Sequence, residues 1–465
     1  MTSTPTLVPP AASARAQKGQ RLGIGFGTRF FLALLLGLIW VVPAAWSPRF
    51  IAAMFVWDGL CLLLWIWDIF RLPKPVDLEL HRVWRSPPSL GIPSNVTIEV
   101  HNDGKRAVFA RVTDETPCAL RREPPTVEIA AAAGQTVQAS YTILPAQRGD
   151  MPLGKLYIRY QSALRVAERW AVADLSGSAR VLPNLEQAKQ QTLFLIRSRQ
   201  VEMERRRKRV RGLGREFESL REYRSGDELR NICWTATARR SKLITRVFQV
   251  ERSQHVWIVL DAGRLLRAQI LQAGSSLRLS KLDYAVDAAL ALAQVAMHSG
   301  DRVGLLAYGR QIQQNVNAGR GASHLRQIVE SLAVVRTEPY EADHARAARA
   351  LLSENKRRSL IVWITDLAET ASTPEVVEYA LQMTRRHLVL FAAVGQPDLN
   401  ELAARRPETE EDMFRYIAAI EIVQRRELLL RRLRQQGVLA LELMPGVLAS
   451  ALVNRYLDIK DRSLI

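Results

Sequence analysis

Two apolar runs dominate the first seventy residues. Phe30 to Trp46 is unbroken, and Phe50 to Phe70 is interrupted only by Asp58 and Asp68. A membrane span needs about 20 apolar residues, with a lower limit near 17. Both runs meet that need, the first at its limit. Ser47-Pro48-Arg49 leaves room only for a tight turn, so a two-helix hairpin is predicted over residues 28–71. The small residues Pro43-Ala44-Ala45 keep a cleavable signal segment as the second reading of the first run. Asp58 has no base in the first run and reads as a protonated or packing carboxyl rather than a proton path. Met1 to Gln20 is rich in Ser, Thr, Pro and Ala without a period, and a disordered cytoplasmic tail is predicted for residues 1–27.

After the stiff Leu72-Pro73-Lys74-Pro75 linker the period shortens to two. Val96–Val100, Val108–Val112, Thr136–Thr142 and Lys155–Tyr160 alternate, with turn signals at Asn102-Asp103-Gly104, Gly134 and Gly149-Asp150. Short strands at this spacing predict an antiparallel β-sandwich over residues 76–180. Residues 183–252 then lose the strand period. Gln187 to Arg211 reads as a polar, basic helix, with its densest charge from Arg205 to Arg211. Three readings stand for that run: a solvated face, an anionic-lipid or acidic-protein contact, and nucleic acid, which ranks last because no aromatic residues are interleaved.

From residue 253 to 465, strands and helices alternate. Strands are predicted at Val256–Leu260, Arg302–Tyr308, Leu360–Thr365, Leu388–Val394 and Val438–Leu443. Helices are predicted near Lys281–Ser299, Ser323–Val334, Ala342–Glu354, Pro374–Arg386, Glu410–Gln436 and Val447–Lys460. Such alternation implies a parallel sheet with helices on both faces, an α/β domain whose site-forming edge lies beyond the strands' carboxyl ends. Asp261, ending the first strand, and Asp366, following the third, sit at that edge.

Charge and cysteine usage narrow the partners. Lys and Arg outnumber Asp and Glu 65 to 46, giving a net +19 that favours acidic partners. The basic flanks Lys18, Arg21 and Arg29 before the hairpin, and Arg71 and Lys74 after it, predict cytoplasmic ends. Cys61, Cys118 and Cys233 are too few and too scattered for a disulfide framework, which fits a reducing compartment.

The stretch Gly212 to Asp261 carries a resemblance. Gly212, Gly214, Glu216, Phe217, Leu220, Arg221, Glu222, Tyr223, Gly226, Asp227, Arg230, Trp234, Ala238, Arg239, Arg246, Phe248 and Glu251 resemble the core signature of the bacterial DUF58 family. One departure is Cys233, where the family usually has Asp. The resemblance implies a membrane-anchored protein of the bacterial inner membrane with a von Willebrand factor A-like domain, partnered by a MoxR-type AAA+ ATPase. It also implies a divalent-cation site built from Asp-x-Ser-x-Ser, a loop Thr and a later Asp. Here Asp261 and Asp366 are in place, but Gly263 and Leu265 replace the hydroxyls, Arg264 adds a positive charge, and Ser323 is an approximate substitute for the Thr. Mg²⁺ demands about six hard oxygens, so a degenerate site without a bound ion is expected, and no cofactor.

No Gly-x-Ser-x-Gly, Walker A or His-Glu-x-x-His motif occurs, and the seven histidines are scattered. Glu216, Arg221, Glu222, Tyr223, Asp227, Arg230, Trp234 and Arg239 are too charged for a simple core. They read either as an Arg–carboxylate network or as an outward binding surface. A non-catalytic scaffold is therefore expected. The competing class is an enzyme using Asp261, Asp366 and a Cys233 thiol activated by nearby Arg230.

Overall fold

The structure is a computed structural model and describes residues 9, 11–19, 23–44, 46–47, 49–184, 216–223, 229, 232–249, 254–271, 277–367 and 373–462. It divides into two compact units, residues 1–184 with 271–279 and residues 185–270 with 280–465.

The first unit holds the apolar helices and most of the antiparallel strands. Arg49–Arg71 forms one 23-residue helix, the one described helix long and apolar enough to cross a membrane. At 1.5 Å per residue it reaches about 35 Å, against a hydrocarbon core of about 30 Å. The preceding run is helical over a similar length but is not one regular α-helix. Helix Thr28–Gly37 passes through a 3-10 turn at Leu38–Trp40 into Val41–Ala44. The two helices touch closely: Trp57 Nε1 donates to the Ala33 carbonyl at 2.9 Å, and a Cβ on Gly37 would come within 2.6 Å of the Trp57 ring. Asp68, not Asp58, is the fixed acid of the long helix. It is fully buried and accepts from Ser162 Oγ at 2.6 Å and from the Ala167 amide at 2.9 Å.

The tail expectation needs correction. Ala12–Arg15 pairs antiparallel with Leu78–Trp84, while Gln17–Lys18 and Ile24–Phe26 pair with Ala167–Ala173. Ala16 is fully buried between these strands. Polar composition without a period carries no information about a distant sheet edge that lacks a partner, and here the edge decides. Beyond these strands, one sheet orders Ala12–Arg15, Leu78–Trp84, Ser94–Asn102 and Thr136–Ile143. A second runs from Ala167–Ala173 through Leu156–Gln161 and Val108–Asp114 to Thr126–Ala131. Gly149–Leu153 and Gly177–Val181 form a separate ribbon.

A buried charge joins the two sheets. Arg82 stands on the inward face of Leu78–Trp84 and grips Asp114 of the second sheet, Nε to Oδ2 at 3.0 Å and NH2 to Oδ1 at 2.5 Å. Arg82 NH1 also donates to the Leu175 carbonyl at 3.0 Å, and Tyr141 Oη donates to Asp114 Oδ2 at 2.5 Å.

In the second unit, strands β1 (His255–Asp261), β2 (Arg302–Tyr308), β3 (Ile312–Gly319), β4 (Leu360–Thr365), β5 (Leu388–Val394) and β6 (Leu439–Leu443) form one sheet in the order β3-β2-β1-β4-β5-β6. All pairings are parallel except β2 with β3. Helices α1 (Lys281–His298), α2 (Ala322–Val334), α3 (His344–Glu354), α4 (Thr373–Thr384), α5 (Pro397–Ala404), α6 (Glu410–Gln435) and α7 (Pro445–Asp461) complete it. The central strands are buried along nearly their whole length, which is why they read as unbroken apolar runs. Strand β3, absent from the expected elements, is the polar outer strand IQQNVNAG. Strand order reverses between β1 and β4, so the crevice favoured for ligands opens at their carboxyl ends.

Removing a partner from a buried ion pair costs about 3–5 kcal/mol. Arg82→Ala is therefore expected to lower the unfolding free energy of the first unit by about that amount. Denaturant unfolding checks this, and an unchanged midpoint would contradict the cross-sheet role.

Candidate functional site

Asp261 and Asp366 lie at the carboxyl ends of the neighbouring strands β1 and β4, at the switch point, and both are buried. Neither projects an unengaged carboxylate. Asp261 Oδ1 accepts from the Gly263 amide at 2.7 Å, and its Oδ2 accepts from Thr365 Oγ1 at 2.6 Å. Asp366 Oδ2 meets Lys281 Nζ at 2.7 Å, and its Oδ1 meets Arg426 NH2 at 2.8 Å. Lys281 has no exposed surface and Arg426 retains 3%. The two cations have further partners: Lys281 Nζ lies 3.3 Å from Gln396 Oε1, and Arg426 reaches Glu442 Oε1 and the Leu367 carbonyl, each at 2.8 Å.

This donor set does not fit a divalent cation. The Asp366 oxygens are held by two internal cations. A Cβ on Gly263 would lie 2.9 Å from the Ala342 amide nitrogen, so the backbone leaves no room for the hydroxyl that an Asp-x-Ser-x-Ser loop supplies there. Ser323 is exposed on the first turn of α2, whereas the hydroxyl on Asp261 comes from Thr365. Arg264 points outward and pairs with Glu341 at 3.0 Å. Among the described residues, no group of three or more His, Cys, Asp or Glu gathers to hold an ion.

Sequence reasoning missed Lys281, Arg426 and Thr365. Lys281 and Arg426 fall within predicted helices, and their acid is 85 and 60 residues away in the chain. Thr365 stood in the quoted strand end but gave no signal of its own.

A second polar set lies beside Asp261. Tyr308 Oη is 2.9 Å from His344 Nδ1 and accepts from Trp363 Nε1 at 2.6 Å. Burial pushes the Asp261 carboxyl above its ordinary range, against the opposing pull of His344, Thr365 and Gly263. Burial holds the His344 imidazole below its ordinary value, although Asp261 and the acids around it pull the other way. Burial, with Asp261 next, drives the Tyr308 phenol well up. His344 and Tyr308 are thus poised as neutral hydrogen-bonding groups at neutral pH.

The signature residues lie elsewhere in this unit. Glu216–Glu222 pairs antiparallel with Ile244–Gln249, and the short helix Trp234–Arg240 lies between them in sequence. Trp234 exposes 67% of its surface, and Arg239 is exposed. Glu222 pairs with Lys242 at 2.9 Å, half-buried Arg221 donates to the Glu222 carbonyl at 3.2 Å, and the Tyr223 amide donates to the Leu243 carbonyl at 2.8 Å. Asp227, Arg230, the side chain of Glu216, the helix predicted at 187–211 and the run Arg205 to Arg211 lie outside the described residues. Cys233 is buried, with Sγ 3.4 Å from Thr235 Oγ1.

Residues 219–413 match the family model described as a protein of unknown function, DUF58. An uncharacterized protein of Mycobacterium bovis and one of Mycobacterium tuberculosis are each 29% identical over 159 residues, 34% of this chain and 48% of the relative. The chain thus spans about half the length of the curated relatives it matches. Among solved structures, the conserved hypothetical protein BatB from Bacteroides thetaiotaomicron is 14% identical, over 45% of this chain and 100% of that one, with a TM-score of 0.30. An aerotolerance-related membrane protein from Bacteroides fragilis is 18% identical, over 31% and 70%, with a TM-score of 0.24. The VWA domain of SpRpn10 is 13% identical, over 44% and 95%, with a TM-score of 0.26.

Two outcomes are expected from this geometry. Asp366→Ala leaves Lys281 and Arg426 buried without their carboxylate, and a loss of about 3–5 kcal/mol in unfolding free energy should follow, read by denaturant titration. The second concerns pH. The folded-state pKa of His344 is depressed, so its stabilising contribution is complete above the unfolded value, about 6.5, and is lost as the pH falls below it. The melting temperature of the wild type should therefore drop between about pH 7.5 and 5.5. His344→Gln should flatten that drop, and parallel profiles would refute the assignment.

Proposed function

We propose, from the premise that residues 219–413 of this chain are a DUF58 region, that the protein is a membrane-anchored, non-catalytic scaffold working with a MoxR-type AAA+ ATPase in chaperone-like or cell-envelope work. The observation that carries the scaffold reading is the state of the switch-point acids. Asp261 and Asp366 are buried and already engaged by Thr365, Gly263, Lys281 and Arg426. A carboxylate in that position is structural, and substrate would have to displace an internal cation to reach it. For the enzyme reading the same engagement weighs against Asp261 and Asp366 as its acids.

The anchor reading takes Arg49–Arg71 as one span and the shorter Thr28–Pro43 helix as its return partner, in a two-pass hairpin with the soluble parts cytoplasmic in the bacterial inner membrane. Strand pairing supports an even number of crossings. Residues 12–26 share sheets with strands that follow the long helix, so the chain enters and leaves the hairpin on one side. The two antiparallel sheets of the first unit, bridged by Arg82 and Asp114, support the β-sandwich reading of residues 76–180.

For the partner contact, the exposed Trp234 and Arg239 favour the surface reading of the signature over the internal network. Trp and Arg are the residues most often found as binding anchors. Full-length protein captured from mild detergent, with and without ATP, should recover an AAA+ ATPase in a nucleotide-dependent way. Trp234→Ala with Arg239→Glu should reduce recovery at least about tenfold, the loss of one strong anchor. Equal recovery by the variant would remove the surface assignment, and no ATPase under either condition would remove the partnership.

A further inference from the structure

Helix α6 carries two stripes. One faces its own unit: Ala419, Arg426, Leu430 and Leu433 are buried at intervals of seven, four and three. The other faces solvent. Phe414, Ile417, Glu421, Gln424 and Leu428 follow at alternating intervals of three and four, and all five are exposed. Phe414 exposes 67% of its surface, Ile417 55% and Leu428 64%. The spacing is that of a helix–helix seam, with large apolar side chains exposed at three of its five positions. Arg426 ties the helix to Asp366, and residues 410–425 precede it, an arm of about 24 Å at 1.5 Å per residue.

The charge along the helix is split. Glu410, Glu411 and Asp412 open it, and Arg431, Arg432 and Arg434 close it. A parallel partner of the same sequence would set acid on acid and base on base. An antiparallel copy does the reverse. With the two-fold axis at Glu421, Phe414 of one helix meets Leu428 of the other, and Ile417 meets the aliphatic stem of Arg425. Glu410 and Glu411 then come opposite Arg431 and Arg432 of the second copy, at both ends of the seam. At the axis the two Glu421 side chains approach, each already paired with Arg425 of its own helix, so the like charges are compensated. Two-fold pairing requires that if one residue contacts a second, the second contacts the first, and Phe414 with Leu428, Glu410 with Arg432, and Glu411 with Arg431 meet that demand.

We infer that α6 is a homodimerisation helix: two copies of the chain pair their α6 helices antiparallel, Phe414 against Leu428, with Glu410 and Glu411 against Arg431 and Arg432. The occupant of the exposed stripe is a second copy of this chain, because the complementary charges are both on it. The inference is independent of the scaffold reading.

The test uses the full chain in mild detergent, with the protein mass measured by light scattering. The wild type should give twice the chain mass of 52.4 kDa. Phe414→Asp with Leu428→Asp should give the single-chain mass. The same shift is expected for Glu410→Arg with Glu411→Arg, and for Arg431→Glu with Arg432→Glu. All four charge reversals on one chain should restore the dimer, as only the antiparallel register predicts. Each variant alters exposed side chains, and unchanged circular dichroism confirms its fold. A monomeric wild type overturns the inference. So does a dimer that survives the Asp pair, or charge reversals that leave the mass unchanged or are not rescued in combination.

Discussion

The second unit depends on the compensation of one buried carboxylate. Asp366 follows β4 at the centre of the sheet, and its two oxygens hold the first residue of α1 and the middle of α6. Arg426 extends the tie to Glu442 on β6 and to the Leu367 carbonyl. Buried ions gain from close, complete pairing and lose heavily when one member goes. Each of these elements is therefore placed by the same charge. Side chains supply the positive charge beside Asp366, and the loop after β1 packs Gly263 against Ala342.

The first unit uses the same device once more. Arg82 and Asp114 replace what would otherwise be apolar contact between two antiparallel sheets. In both units the guanidinium is planar and multiply bonded, with three nitrogens engaged. An ammonium could not make that set of bonds, which is why Arg82 and Arg426 are not interchangeable with Lys.

Legibility followed physical locality. The buried strands β1, β2, β4, β5 and β6 announced themselves as short apolar runs, and most helices by their period. Strand β3 did not, since a polar outer strand has little to distinguish it from a loop. Helix α5 escaped for a similar reason, being short. The N-terminal strands were read as a tail because their pairing is set by strands far along the chain. At the switch point, Asp261 and Asp366 were legible as strand-end acids. What holds them was not: a lysine beginning a helix looks solvated until the fold buries it, and nothing local to Lys281 or Arg426 names Asp366 as its partner.

The pairing of Ala12–Arg15 and Gln17–Lys18 has a consequence for biogenesis. Ala12 lies opposite Arg82, and Lys18 opposite Ala171. Neither edge exists until the intervening apolar helices have left the ribosome, and the second waits for the strand ending at Ala173. During synthesis the N-terminal segment must therefore wait unpaired while those later strands are made. It then closes two sheets late, as a clasp on a nearly finished module. The first residues to be made are thereby among the last to be placed.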